Sequence, residues 1–239
     1  MRVARTFVEA TFPRTCLCCG DLPVQDFPVC PTCALLLERV TPPVCARCGV
    51  PLDGPDVQRC QSCLMHPPDF RRAAAVFEYG GLARDLVLRL KYGREFHLSR
   101  PLGLAMAAAA HGARLGAMEG SVVVPVPLTP ARLYARGYNQ AALLGKTVAR
   151  AAGLDFCPGA MRRVRDPGPQ GHHTRRERQE RVAGCFAVTG PGKQAIAGRE
   201  VLLCDDVMTT GATTSECARV LLAAGASAVD VVVFARARK

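Results

Sequence analysis

The sequence predicts an α/β fold, a parallel sheet flanked by helices, preceded by a small cysteine-rich module. Three observations predict it. From about residue 70 onward, short β-branched runs alternate with stretches of helical periodicity. Eight of the 13 cysteines form four C-x-x-C pairs between residues 16 and 63. One strand-like run ends in two adjacent acids followed by a threonine/glycine cluster, "VLLCDDVMTTGATT", residues 201–214.

The cysteine module comes first in the chain. Its pairs are Cys16/Cys19, Cys30/Cys33, Cys45/Cys48 and Cys60/Cys63. A C-x-x-C turn aims two thiolates at one point, and two such turns complete a tetrahedral sulfur cage. Ten residues separate the first two pairs and eleven the last two, so the device is repeated. The spacing predicts two structural zinc sites, closed because four thiolates leave no position for water. Consecutive pairs sharing a metal and interleaved sites are both compatible with it, and an iron–sulfur cluster is the alternative centre. Cys18, inside the first turn, reads as a bystander. The N-terminal stretch "MRVARTFVEATFPRTC" has Glu9 in its only apolar patch and shows no small-residue cleavage site, so a cytoplasmic chain is expected. A reducing compartment then argues against disulfides. The module is expected over residues 1–68 and the α/β domain over 69–239.

In the second part, "RRAAAVFEYGG" reads as a strand ending in a turn. "LARDLVLRLKYG" has apolar residues at helical spacing, with Lys91 near its end before Gly93. An Ala-rich helix is expected over 98–111, and "SVVVPVPLTP" is a buried strand bounded by proline. "QAALLGKTVARAAG" is a helix closed by Gly153; "VLLCDDV" is a strand, "TTSECARVLLAAG" a helix closed by Gly225, and "SAVDVVVFARA" a strand. Such alternation implies a parallel sheet covered on both faces, with ligands at the C-terminal ends of its strands. No apolar run reaches the length of a membrane span.

That placement gives the acid pair a purpose. Strand 201–205 would deliver Asp205 and Asp206 to the C-terminal edge of the sheet. Loop 207–213 would then turn into a helix beginning near Thr213. Loop amides and a helix N-terminus cradle an anion, and Gly211 lets the backbone come close. Threonine hydroxyls add donors, and carboxylates accept hydrogen bonds from sugar hydroxyls. One stretch would thus bind a phosphate and a ribose diol. A threonine N-cap after a buried strand explains one threonine; it leaves two acids before four threonines unexplained.

Net charge is +11, and it is unevenly spread. Residues 1–70 hold six Lys/Arg and seven Asp/Glu, whereas residues 71–239 hold 25 and 13. The C-terminal part therefore suits a polyanion, nucleic acid or a pyrophosphate-bearing small molecule. The stretch 162–181 carries seven arginines against three acids and supplies the nucleic-acid candidates Arg162, Arg163, Arg175 and Arg176.

The motif at 201–214 resembles the phosphoribosyl-pyrophosphate motif of type I phosphoribosyltransferases. "LKYGRE", "VVVPVPLTPARLYARGYNQAALL", Gln170, "RERQERVAGCF" and the four C-x-x-C pairs are similar to the ComF family, from about Cys16 to the last strand. The resemblance implies a type I phosphoribosyltransferase-like sheet with an N-terminal zinc module. It implies a role in natural competence, handling incoming single-stranded DNA in the cytoplasm, with a competence helicase or recombination proteins as partners. It implies a site for phosphoribosyl pyrophosphate with Mg²⁺. There Asp205 and Asp206 would hold the ribose hydroxyls. Thr209, Thr210, Gly211, the Ala212 amide and Thr213 would hold the 5′-phosphate. Arg136, Gly137, Tyr138, Asn139 and Gln140 would lie where the fold binds pyrophosphate, with Arg136 stabilising the leaving group. Catalysis would fall to Asp205, Asp206 and Arg136. Residues 162–186 match the family's mobile loop, with Arg181 where Asn is usual and His173 where Leu is usual. The alternatives are a metabolic phosphoribosyltransferase acting on a small nitrogenous acceptor, and a zinc-ribbon adaptor docking partners through residues 16–63.

Overall fold

The computed structural model describes residues 15–21, 28–116, 120–166 and 175–238, without the side chains of Arg175, Arg176, Arg178 and Gln179. The β-branched runs pair as five parallel strands. These are β1 (Arg72–Glu78), β2 (Val122–Pro125), β3 (Asp155–Phe156), β6 (Glu200–Met208) and β7 (Ala228–Arg236), in the order β1-β7-β6-β2-β3. Between them in the chain, β4 (Met161–Arg163) and β5 (Phe186–Val188) form a separate antiparallel pair.

Helices connect the strands and cover both faces, as the run of alternating patterns requires. They are α3 (Gly81–Tyr92), α4 (Ser99–Gly112), α5 (Pro130–Arg136), α6 (Gln140–Ala152), α7 (Arg175–Val182), α8 (Gly190–Ile196) and α9 (Ala212–Ala223). Strand alternation sorts the core into two layers. Leu202, Cys204, Val232 and Phe234 pack with Leu90 of α3, Met106 of α4 and Leu144 of α6. Val201, Leu203, Val231 and Val233 pack on the other face with Cys217 and Leu221 of α9 and Ile196 of α8. Among the described residues, no helix is long and apolar enough to cross a membrane.

The cysteine module wraps the β1 side of this sheet. It carries two short helices, α1 (Pro31–Leu36) and α2 (Gln61–Met65), each beginning one residue after the first cysteine of its second pair. Cys16 and Cys33 join the first core layer, and Cys45, Cys48 and Cys63 the second. Gly49, at φ +67°, lies where a Cβ would stand 2.6 Å from the Ala73 carbonyl of β1, so only glycine permits this approach.

The sequence reading did not name β3, the β4–β5 pair, α5, α7 or α8, and one boundary that it did name differs. β6 runs to Met208 rather than ending at the acids, and α9 begins at Ala212. The cause is β7, whose ladder with β6 continues through Asp205↔Val233 to Met208↔Arg236. The turn is correspondingly tight, with Gly211 in the left-handed region at φ +80° as the N-cap of α9.

Candidate functional site

At the C-terminal end of β6, a cavity of about 200 Å³ is lined by Tyr79, Lys91, Asp205, Val207 and residues 208–214. The threonine/glycine loop and the first turn of α9 form one wall. A helix start of this kind presents backbone amides lacking intrahelical partners, and its dipole favours an anion. Thr214 turns inward and donates to the Gly211 carbonyl at 3.1 Å, which closes the turn under the loop. Thr209, Thr210 and Thr213 remain in the lining.

The two acids do not share a direction. Side chains alternate along a strand, so Asp205 follows Val201 and Leu203 while Asp206 follows Leu202 and Cys204 toward α3. Asp205 lines the cavity, and its carboxylate accepts the Asp206 amide at 2.9 Å. Asp206 is only 3% exposed and does not line the cavity. Its Oδ1 lies 2.8 Å from Lys91 Nζ, and its Oδ2 is buried without a hydrogen-bond partner among the described residues. The expected side-by-side pair is thus a relay of charge: Asp206 behind, Lys91 beside, Asp205 in front.

Burial, and then the neighbouring Asp206 carboxylate, push the Asp205 pKa up to about 7, against the pull of Lys91. For Lys91, burial pulls the pKa down, but the Asp206 charge outweighs it and the ammonium is held above its ordinary value. A protonated lysine therefore stands in the cavity wall, in a lining shared with the start of α9.

The stretch 136–140 lies outside the lining of this cavity and joins it through the end of α3. Tyr138 donates its hydroxyl to the Leu90 carbonyl. Lys91, the next residue, holds Asp206. Tyr92 lies under Arg136, whose guanidinium sits 4.9 Å from the ring centroid and donates to the Tyr92 hydroxyl at 3.2 Å. Gln140 accepts from Arg136 at 2.9 Å. Gly137, in the left-handed region, ends α5, and Asn139 caps α6 by accepting from the Ala141 and Ala142 amides. Asn139 also donates to the Val126 carbonyl at 3.0 Å, anchoring the turn to the end of β2. Tyr92 is 67% exposed even with Arg136 over its ring, and Tyr134 of α5 is 92% exposed. The sequence reading passed over Tyr79, Tyr92 and Arg236. A helix-end "LKY" and a strand-end arginine are the weak signals that carried them.

Among the described residues, the cysteines gather as two tetrads, Cys16/Cys19/Cys30/Cys33 and Cys45/Cys48/Cys60/Cys63. This settles the pairing: consecutive C-x-x-C pairs share a site. The Cys19 and Cys30 sulfurs are 3.7 Å apart, as are those of Cys48 and Cys60. Thiolates about 2.3 Å from a tetrahedral zinc stand about 3.8 Å from one another, so the donor set and its spacing fit zinc. Cys18 belongs to neither tetrad.

Of the nucleic-acid candidates, Arg162 is exposed and Arg163 is not. Alternation along β4 turns Arg163 inward, 9% exposed, 5.3 Å over the Phe186 ring and 3.7 Å from Asp166. A buried, stacked arginine is a packing element of the β4–β5 pair, which corrects its reading as a surface phosphate contact. Arg175 and Arg176 lie on α7, their side chains outside the described residues, as are Gln170 and His173.

A family model described as a double zinc ribbon domain matches residues 7–64. The chain is 32% identical over 225 residues to the DNA utilization protein YhgH of Salmonella typhimurium, spanning 92% of this chain and 96% of that protein. It is 26% identical over 208 residues to the competence protein ComFC of Bacillus subtilis, spanning 85% of this chain and 81% of that protein. The chain belongs to the ComF family. The fold seen here is a five-stranded parallel sheet flanked by helices, with two four-cysteine sites fitted for structural zinc. A glutamine phosphoribosylpyrophosphate amidotransferase structure from B. subtilis overlaps it with a TM-score of 0.39 and 18% identity, over 60% of this chain and 30% of that one.

Proposed function

We propose that this ComF-family protein binds phosphoribosyl pyrophosphate at the end of β6 and handles single-stranded DNA during natural competence, in the cytoplasm. The observation that carries the reading is one cavity lined together by Asp205, Lys91 and the 208–214 loop. Thr209, Thr210, Gly211, Ala212 and Thr213 hold the 5′-phosphate through amides and hydroxyls. Asp205 accepts hydrogen bonds from the ribose hydroxyls. Asp206 acts on that site through Lys91, which it fixes in the wall. Arg136, oriented by Gln140 and Tyr92, faces the pyrophosphate side, with Gly137, Tyr138 and Asn139 shaping the turn that carries it.

Asp205, in the cavity wall, is the hard oxygen donor that Mg²⁺ would take there. A Mg²⁺ held there would supply positive charge to offset that of the pyrophosphate. Lys91 and Arg136 add fixed positive charge to the same end. For a nucleobase, free or in a strand, the exposed Tyr92 ring next to Arg136 and the exposed Tyr134 ring of α5 offer stacking surfaces of the kind single-strand binders use. The names of the two relatives above, one for DNA utilization and one for competence, point the same way. The two parts of the chain, 1–68 and 69–239, divide the work as metal-held scaffold and ligand domain.

The test is turnover and binding on one preparation. Phosphoribosyl pyrophosphate with Mg²⁺ and a single-stranded oligonucleotide are each titrated, and pyrophosphate release is followed against a panel of acceptors. Binding of both ligands supports the reading. Rapid release that depends on one small nitrogenous acceptor, without oligonucleotide binding, replaces it with the metabolic transferase. Binding of neither overturns it.

A further inference from the structure

We propose that Arg236 is a positioning residue of the anion loop, held beneath it by the second cysteine tetrad, so that metal at Cys45, Cys48, Cys60 and Cys63 governs how the loop receives a phosphate. The inference rests on the phosphate role given to residues 209–213 above and adds the device that shapes them.

Arg236 ends β7 opposite Met208 and is 3% exposed. Its Nη1 donates to the Met208 carbonyl at 2.9 Å and also to the Thr209 carbonyl. Its Nε donates to the Cys48 carbonyl at 3.3 Å, and its Nη2 lies 3.7 Å from Cys48 Sγ. Among the described residues its partners are carbonyl oxygens and one sulfur; no carboxylate pairs with it. A guanidinium does not lose its charge in a protein, and burying one without a counter-charge costs several kcal/mol. Four thiolates around Zn²⁺ carry a net charge of about −2, since four negative charges meet two positive ones. The metal centre is therefore the counter-ion of Arg236, and the guanidinium in turn donates to one of its ligands.

The consequence for the loop follows from peptide planarity. In a trans peptide the carbonyl of one residue and the N–H of the next point in opposite directions. With the Met208 and Thr209 carbonyls drawn down onto Arg236, the amides of Thr209 and Thr210 are turned away from it, on the side of the cavity these residues line. An arginine at the back thus sets the amide donors at the front.

The same tetrad reaches the other end of the loop. Arg47, between two of its ligands, donates to the Pro68 carbonyl at 2.8 Å. In the linker that follows, Asp69 accepts from the Ser215 hydroxyl at 2.6 Å, and its amide donates back to that oxygen at 3.0 Å. The first tetrad makes a different connection. Arg89 of α3 donates to the Leu17 carbonyl there, and none of the first tetrad's described hydrogen bonds reaches residues 208–215.

The experiment compares four full-length variants with the wild type: R236M, R236K, C60S and C19S. Zinc is counted by elemental analysis, amide exchange over 208–214 is followed by mass spectrometry, and affinity for phosphoribosyl pyrophosphate with Mg²⁺ is measured by calorimetry. C60S and C19S should each lose one zinc. Exchange over 208–214 should rise by about tenfold or more in R236M and C60S, the size of one lost charge-assisted hydrogen bond, with affinity falling in parallel. R236K should fall between, since a lysine keeps the charge but not the fork. C19S should leave exchange over 208–214 within about twofold of wild type. Equal effects of C19S and C60S, or no effect of R236M on exchange, would overturn the proposal. If R236M does not fold, the C60S and C19S pair decides. If the wild type binds no phosphoribosyl pyrophosphate, the proposed ligand falls, while the exchange comparison still judges the coupling.

Discussion

Replacing Asp205 by Asn should stabilise the protein at high pH while disabling the site. In the folded chain its carboxyl is raised from an ordinary 3.8 to about 7, first by burial and then by Asp206. The folded state therefore keeps a proton that the unfolded chain has lost. Below about pH 4 both states are protonated and the site is neutral to stability. Above it the cost grows by about 1.4 kcal/mol per pH unit, levelling near pH 7. Three units would amount to roughly 4 kcal/mol; because Asp205 borders an open cavity where water screens it, about 2 kcal/mol is the realistic figure. Asp205→Asn removes that term. Urea unfolding at about pH 4.5, 6, 7 and 8 should show the variant gaining about 2 kcal/mol on the wild type between the two ends of the range, with the rise complete near pH 7. Ligand affinity of the wild type should rise through the same interval, because the carboxylate is a stronger acceptor for a diol's hydroxyls than the protonated acid and can accept from both. A stability difference that stays constant with pH to within about 0.5 kcal/mol would refute the reasoning.

Other consequences can be measured as directly. The purified protein should carry two zinc ions per chain, because two complete tetrads are present; elemental analysis finding iron, or no metal, would contradict this. Lys91→Met should cost about 3 kcal/mol in urea unfolding, since it strands the buried Asp206 carboxylate, and a cost below about 1 kcal/mol would mean that Asp206 finds another partner. Tyr92→Ala should weaken single-stranded DNA by about 1–3 kcal/mol with little dependence on sequence, as loss of one stacking surface does; unchanged anisotropy titrations would remove this ring from the DNA path.

The longer strands and helices were legible because β-branched runs alternate with period-3.6 patterns from Arg72 onward, whereas β3, β4, β5, α5, α7 and α8, each of eight residues or fewer, are too short for such a pattern to show. The metal module was legible because C-x-x-C spacing encodes coordination geometry within a dozen residues. The partition of the acid pair was harder. It depends on β6 remaining a strand through Asp206, and β7 enforces that from some 28 residues away. Read as the start of a loop, the two acids looked equivalent; kept in the ladder, they face opposite layers. Arg163 was misread for the same reason, since a charge run suggests a solvated face and alternation in β4 buries every second residue. Arg236 illustrates the limit of local reading. Its partner Cys48 is 188 positions away, and nothing in "FARARK" distinguishes the buried arginine from its neighbour.

The most direct test of the account is calorimetric titration of phosphoribosyl pyrophosphate with Mg²⁺ into the wild type and into the Asp205→Asn/Asp206→Asn double variant. The wild type should bind one molecule per chain. The double variant should keep its fold by circular dichroism and lose about 100-fold or more in affinity, from the loss of the Asp205 charge-assisted hydrogen bonds and of the Lys91 placement that Asp206 provides. Equal affinity in the two proteins would contradict the assignment of this site.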